Sequence, residues 1–322
     1  MRHRILTAIA LLTVAAPLVA QGKLPRTADG HPDLQGVWNF STITPLERPA
    51  EFAGKPFLTE EEAKALEERT IERSNRDNRD RSNADADVAS AYNEFWWDRG
   101  VHAARVNGKV HTSLIVEPAD GKIPALTADG QARADQRAEA RRAHPADGPE
   151  DRSLGERCLL FNAGPPMLSG PYNNFVQLLQ TRDHVVIFNE MVHDVRIVPL
   201  DGRPHLPAAV RTWQGDPRGR WEGDTLVVES TNFSAKTNVR GSGDGLRLTE
   251  RFTRTGGNSL LYEFTVSDPA AWARPWRVAL PMTRSADKIY EYACHEGNMG
   301  LLAILAGARA QERDVGSSRG VH

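Results

Sequence analysis

From about residue 172 apolar and polar positions alternate in short runs: NNFVQLLQT, HVVIFNEM, VRIVPL, DTLVVESTNF, LRLTERFTR, LLYEFTV, RVALPMTR and KIYEYAC. These runs are rich in Val, Leu, Tyr, Phe and Thr. The segments between them, such as TRD, PLDGRP, GDPRGRWEGD, RTGGNS and SADK, carry turn residues. This period predicts a mainly β fold, an antiparallel meander of short strands. Eight such strands can close into a β-barrel within residues 151–311, which removes the exposed edges of an open sheet. The run LLAILA, residues 301–306, then predicts a short helix against the barrel, and residues 312–322 a disordered polar tail.

The pattern is different earlier in the chain. Residues 21–57 form an N-terminal segment with one strand, around PDLQGVWNF. Residues 58–150 read as a partly helical insertion that covers the barrel. Thr59 followed by Glu62 is a capping box, and Ala63, Leu66 and Ile71 make a thin apolar stripe on a charged helix. The continuation SNRDNRDRSN has no apolar face and reads as a solvated loop, while TADGQARADQRAEARRA, residues 127–143, predicts a second surface helix.

The first 20 residues join a cationic MRHR to an apolar run ending at Ala20, the pattern of a cleaved secretory signal peptide. Pro17 and the shortness of the run argue against a spanning anchor, so a periplasmic or secreted protein, off the membrane after cleavage, is expected. Removal of Arg2 and Arg4 takes the formal charge from -2 to -4, and no basic face points to nucleic acid. In an oxidising compartment Cys158 and Cys294 are expected to pair, the alternative being two buried thiols.

Two resemblances add to this reading. Gly36-Val37-Trp38, entering the first strand, resembles the Gly-x-Trp signature of lipocalin and calycin barrels, in which the Trp packs on the barrel floor. That likeness implies a lipocalin-like barrel, although the insertion after Trp38 and the chain length depart from it. The stretches PDLQGVW, YNEFWWDRG, TSLIVEPADGKIP, GDPRGRWEGDTLVVESTNF and YEYACHEGN resemble an uncharacterised family of exported bacterial proteins, a likeness that brings no activity with it.

The candidate chemistry is polar groups on apolar strand faces. Glu250 shares a face with Leu246, Leu248 and Phe252, which makes it either a buried ion pair with an Arg such as Arg196 or Arg277, or an acid/base group. His193 is either a satisfied core histidine or a base, and Arg196 would balance charge. If NEMVHDVR is one strand, Asn189, Met191 and His193 share one face, and Glu190, Asp194 and Arg196 the other. That excludes an E-x-x-H metal pair unless a bulge intervenes. Trp96, Trp97 and Asp98 belong to a segment that either closes over a ligand or plugs the barrel. Glu190, Asp194, Tyr262 and His295 complete the expected lining. No cofactor, phosphate-loop, nucleophile-elbow or metal motif occurs. The expected function is acid/base catalysis, of hydrolase or lyase type, on a small organic or saccharide substrate; the alternative is a lipocalin-like binder of a hydrophobic small molecule.

Overall fold

A computed structural model describes residues 24–75, 77, 78, 82, 87, 94–161 and 164–319. The expected signal peptide lies outside these residues, as do Tyr92 and Asn93. Among the described residues no helix is long and apolar enough to cross a membrane.

The strands in chain order are β1 (Gly36–Asn39), β2 (Phe57–Leu58), β3 (Arg105–Val106), β4 (Lys109–His111), β5 (Ile115–Glu117), β6 (Phe175–Gln180), β7 (His184–Asn189) and β8 (Val195–Pro199). They continue with β9 (Asp216–Glu222), β10 (Thr225–Thr231), β11 (Arg247–Arg254), β12 (Ser259–Ser267) and β13 (Trp276–Ser285). The helices are α1 (Glu60–Ser74), α2 (Ala128–Ala143) and α3 (Met299–Arg319).

One large antiparallel sheet runs in the order β8-β7-β6-β1-β13-β12-β11-β10-β9, with β5 paired to β13. Two meanders, β6 to β8 and β9 to β13, are therefore joined through β1. Every neighbouring pair on this path of nine strands is antiparallel, so the two end strands, β8 and β9, run in the same direction. The sheet curls until they meet. A Cβ on Gly219 of β9 would lie 2.6 Å from Leu200 Cδ2 and 2.8 Å from Val198 Cγ1, so any other residue would push these side chains aside. No ladder joins the two strands, and the sheet is a strongly curved one without closure.

The alternation in β11 and β12 is the sheet's core signature. Leu248, Glu250, Phe252 and Arg254 point inward from β11, and Leu260, Tyr262, Phe264 and Val266 from β12. Trp38, fully buried, donates its indole N–H to Leu34 O at 2.9 Å, and the Arg254 guanidinium lies 5.7 Å from its ring centroid.

The insertion carries its own small core of Leu58, Ala63, Ala103 and Val110 beside a three-stranded sheet, β2-β4-β3. The Thr59 capping box forms: Thr59 Oγ1 accepts from Glu62 N at 3.2 Å, and Glu62 Oε2 from Thr59 N at 3.0 Å. The second helix starts after Thr127, whose hydroxyl accepts from Gly130 N. Gly130 is required because a Cβ there would lie 2.4 Å from Ala271 O.

Three differences from the sequence reading have physical causes. GDPRGRWEGD, read as a turn, contains β9; its Pro217 is tolerated because the strand pairs only with β10. KIYEYAC, read as a strand, forms none, and crosses the β7–β8 turn instead, with Tyr292 N donating to His193 Nδ1 at 3.3 Å. The C-terminal helix runs on to Arg319, into the stretch expected to be a disordered tail; ARAQER, residues 308–313, is made of good helix formers, and no proline interrupts the DVGSSR that follows. Cys158 and Cys294 form a disulfide with Cα atoms 5.8 Å apart, 136 residues apart in sequence.

Candidate functional site

Candidate chemistry is gathered in three places, of which the first two hold predicted site residues and the third holds none. Inside the sheet, Arg196 of β8 meets Glu250 of β11 in a two-pronged pair, Nη1 to Oε2 at 2.6 Å and Nη2 to Oε1 at 2.8 Å. The Tyr262 hydroxyl donates to Glu250 Oε1 at 2.7 Å and accepts from Met167 N at 3.1 Å. Met167 belongs to the buried segment Gly164–Met167, which lies against the sheet interior. All three polar side chains are sealed, at 2% exposure for Arg196 and 0% for Glu250 and Tyr262. Burial works against the Arg196 charge, but Glu250 outweighs it and raises the Arg196 pKa. Burial and then the Glu250 charge push the Tyr262 phenol well above its usual range, so it stays a donor. Each Glu250 oxygen is held by at least one donor. This is the ion-pair arrangement, with Arg277 paired elsewhere, to Glu117 and Glu263.

The second place is the rim of the sheet at the β7–β8 turn. NEMVHDVR is not one strand: β7 ends at Asn189, Val192 (φ 60) and His193 (φ 62) adopt left-handed backbone, and β8 begins at Val195. That pair of residues reverses the chain and shifts the inward phase. Odd positions Val185, Ile187 and Asn189 face inward before the turn, and even positions Arg196 and Val198 after it. The expected face shared by Asn189, Met191 and His193 does not exist. His193 is exposed, with Phe188 edge-on at 4.8 Å, and the odd positions that follow it, Val195 and Ile197, are exposed at 49% and 59%.

Glu190 sits buried in this turn, close enough to Asp98 to feel its charge. Asp98 is carried by a backbone bond from its own N–H to Pro171 O at 2.9 Å, and the neighbouring Trp97 ring packs edge-on to Tyr172 at 6.3 Å. Glu190 Oε2 and Asp98 Oδ2 have no hydrogen-bond partner among the described residues. Burial raises the pKa of both carboxyls; on Glu190 bonds from Asn173 and the Tyr290 backbone oppose it, and the Asp98 charge adds to it. Asp194 is pushed up to about 6 by burial, against a hydrogen bond with Gln214 and attraction to Arg196. Trp96 is exposed, and so is His295, beyond Cys294. Glu250, sealed in the interior, does not meet the exposed His193 and His295, and among the described residues no group of three or more His, Cys, Asp or Glu side chains could hold a metal ion.

The third place was missed by the sequence reading. A cleft of about 1090 Å³ opens between α2, the 150–168 segment and the 235–241 loop. Six cations line it, Arg137, Arg141, Arg152, Arg157, Lys236 and Arg240, against three carboxylates, Glu150, Asp151 and Glu156. Glu156 pairs with Arg152 at 2.6 Å, and Glu150 serves both Arg157 at 3.0 Å and Lys236 at 2.8 Å. Arg137 donates to the carbonyls of Gly241 and Ser242; burial and then the charges of Arg133 and Arg141 lower its pKa. The side chains of Arg141 and Arg240 have no hydrogen bond or ion pair among the described residues. No signal in the sequence joins these residues, because they come from three separate segments. Comparison with protein families, curated proteins and solved structures finds no match for the chain.

Proposed function

We propose that the protein is an exported, lipocalin-like binding protein that holds a small organic anion in the cleft beside α2. The observation that carries this reading is the surplus of positive charge there, with two guanidinium groups, Arg141 and Arg240, left without partners among the described residues. A guanidinium presents a planar fork that matches carboxylate, sulfate or phosphate oxygens, and one left unpaired on a concave wall favours an anion. The cleft volume of about 1090 Å³ lies just above the upper end of small-molecule sites, which run from about 300 to 1,000 Å³, so a small guest leaves room for water. Export is supported by the N-terminal pattern and by the Cys158–Cys294 disulfide. A lipocalin-like origin for the sheet is supported by buried Trp38 after Gly36 and by the meeting of β8 and β9.

A second reading keeps acid/base catalysis on a small organic or saccharide substrate, and moves it from Glu250 to the rim. Asp98 and Glu190 favour it, as neighbouring carboxyls that each keep a buried oxygen without a partner among the described residues and that burial makes more ready to hold a proton. Titration calorimetry of the mature chain with organic anions and their neutral analogues at low and high salt tests the binding reading. Anions should bind, salt should weaken them, and the double substitution Arg141→Gln with Arg240→Gln should reduce affinity by about ten-fold or more. Neutral analogues binding equally well, with no effect of the double substitution, would overturn it.

A further inference from the structure

We infer that the anion is amphipathic, carrying an apolar body that enters a second pocket joined to the cleft at Arg240; this rests on the binding reading above. The second pocket, of about 480 Å³, shares Leu168 and Arg240 with the large cleft. Its wall includes Ile43, Leu46, Trp97, Leu114 and Pro171.

Hydroxyl groups also line this pocket, but they are already used. Thr42 donates to His102 O at 2.8 Å, Thr44 to His111 O at 3.4 Å, Thr70 to Leu66 O at 2.7 Å and Ser169 to Thr42 O at 3.4 Å. Arg99, the pocket's other cation, donates to Ser74 O at 2.6 Å and Glu94 Oε2 at 3.0 Å, with its guanidinium over the Trp97 ring. A hydroxyl whose proton is committed to a carbonyl has no donor to spare for a guest, and Thr42, Thr44 and Ser169 also accept from Thr44 N, Ala104 N and Thr42 N, so the pocket offers a guest chiefly its aliphatic and aromatic groups. The large cleft is the reverse, with cations in excess. Arg240 stands at the boundary and belongs to both.

The position of Arg240 is built into the loop. Its backbone is left-handed, at φ 53, a conformation that costs a non-glycine residue energy and persists only where neighbours hold it. Gly241 N donates to Asn238 Oδ1 at 2.7 Å, Val239 N to Ser242 Oγ at 2.9 Å, and Arg137 of α2 to Ser242 O at 3.0 Å. The turn is thus tied to the helix on one side, and the Arg240 side chain is delivered to the junction. An oxyanion there, on a short acyl or aryl body, would satisfy the guanidinium and fill the apolar pocket together.

Calorimetric titration of the mature full-length chain with octanoate, octan-1-ol and acetate separates the possibilities. Octanoate should bind at least about ten-fold more tightly than either the alcohol or acetate. Arg240→Gln should cost octanoate about ten-fold and leave octan-1-ol unchanged. Thr70→Trp, which fills the pocket from the surface of α1, should weaken octanoate and spare acetate; melting curves confirm that both variants fold. If octanoate binds no better than acetate, and Thr70→Trp changes neither, the amphipathic ligand is overturned while anion binding stands. If octanoate and octan-1-ol bind alike and Arg240→Gln affects neither, both readings fall.

Discussion

The chain buries two glutamates, Glu250 and Glu190, and treats them in opposite ways. Glu250 is met by three donors, two from Arg196 and one from Tyr262, and its charge is matched inside the sheet. Glu190 keeps one oxygen without a partner, has another carboxyl for a neighbour, and lies in a turn with left-handed backbone. Burial alone does not make a carboxylate chemically available. A matched ion pair shields the group that it stabilises, while an unmatched carboxyl retains the capacity to exchange a proton or to bind. Strand alternation reveals the first kind, and it drew attention to Glu250 as a catalytic candidate; the second kind depends on how a turn folds.

The comparison breaks most sharply at Glu250. Glu250→Gln keeps the shape and removes the charge, leaving Arg196 buried and unpaired, and should cost about 3–5 kcal/mol in denaturant unfolding. Replacing the pair together, Arg196→Met with Glu250→Leu, should recover most of that loss, since the remaining penalty is packing. A Glu250→Gln protein as stable as the parent would show that the pair is not the interior's main polar bond. Tyr262→Phe comes next. It removes a donor to Glu250 and an acceptor for Met167 N, at a cost of about 1–3 kcal/mol, and in the same measurement it should add less than its full effect to Glu250→Gln, because the two share one network.

Much of this interior could be read from the residues. The alternation of LRLTERF put Glu250 on the apolar face, and the list of partners already held Arg196. Thr59 with Glu62 gave the start of α1. What stayed hidden came from contacts between distant segments. Pro217 and Gly219 look like turn residues until β9 is known to be an edge strand pressed by Val198 and Leu200. The alternating KIYEYAC looks like a strand, but it leads into Cys294, bonded to Cys158, and runs across the β7–β8 turn. Nothing in NEMVHDVR shows that a β-branched valine adopts a left-handed backbone at position 192, and that single reversal moved His193 out of the core. The cleft is assembled from α2 and two loops, so no local pattern marks it.

The rim glutamate should respond in the opposite direction to Glu250. A carboxyl whose pKa rises on folding holds its proton more tightly in the folded chain. Its favourable contribution is complete below the unfolded carboxylate range and is lost as pH rises through the folded value. Above the unfolded carboxylate range Glu190 therefore opposes folding, and Glu190→Gln should leave the melting temperature at pH 7 unchanged or slightly higher, with the gain vanishing in acid. A clear loss of stability at pH 7 would mean that Glu190 is matched by a partner after all, and the contrast with Glu250 would disappear.

Asp194 provides the finest test, because it lies between the two regimes: it follows the turn of Glu190 and precedes the strand of Arg196. Burial pushes its pKa up to about 6 from an ordinary value of 3.8, despite the attraction of Arg196. Arg196 cannot draw it lower because both of its Nη groups already face Glu250. By the same sign rule, its contribution is full below about pH 4 and is lost between about pH 4 and 6. Asp194→Asn should flatten the pH dependence of unfolding across that window, and the effect should be smaller than that of any substitution in the interior pair, since water still reaches this group. Carbon-detected titration of the carboxyl gives the direct reading, with a midpoint near 6 expected in the parent protein. In Glu250→Gln protein Arg196 is freed, and the same midpoint should fall; a midpoint that does not move would show that the interior pair and the rim are electrostatically independent.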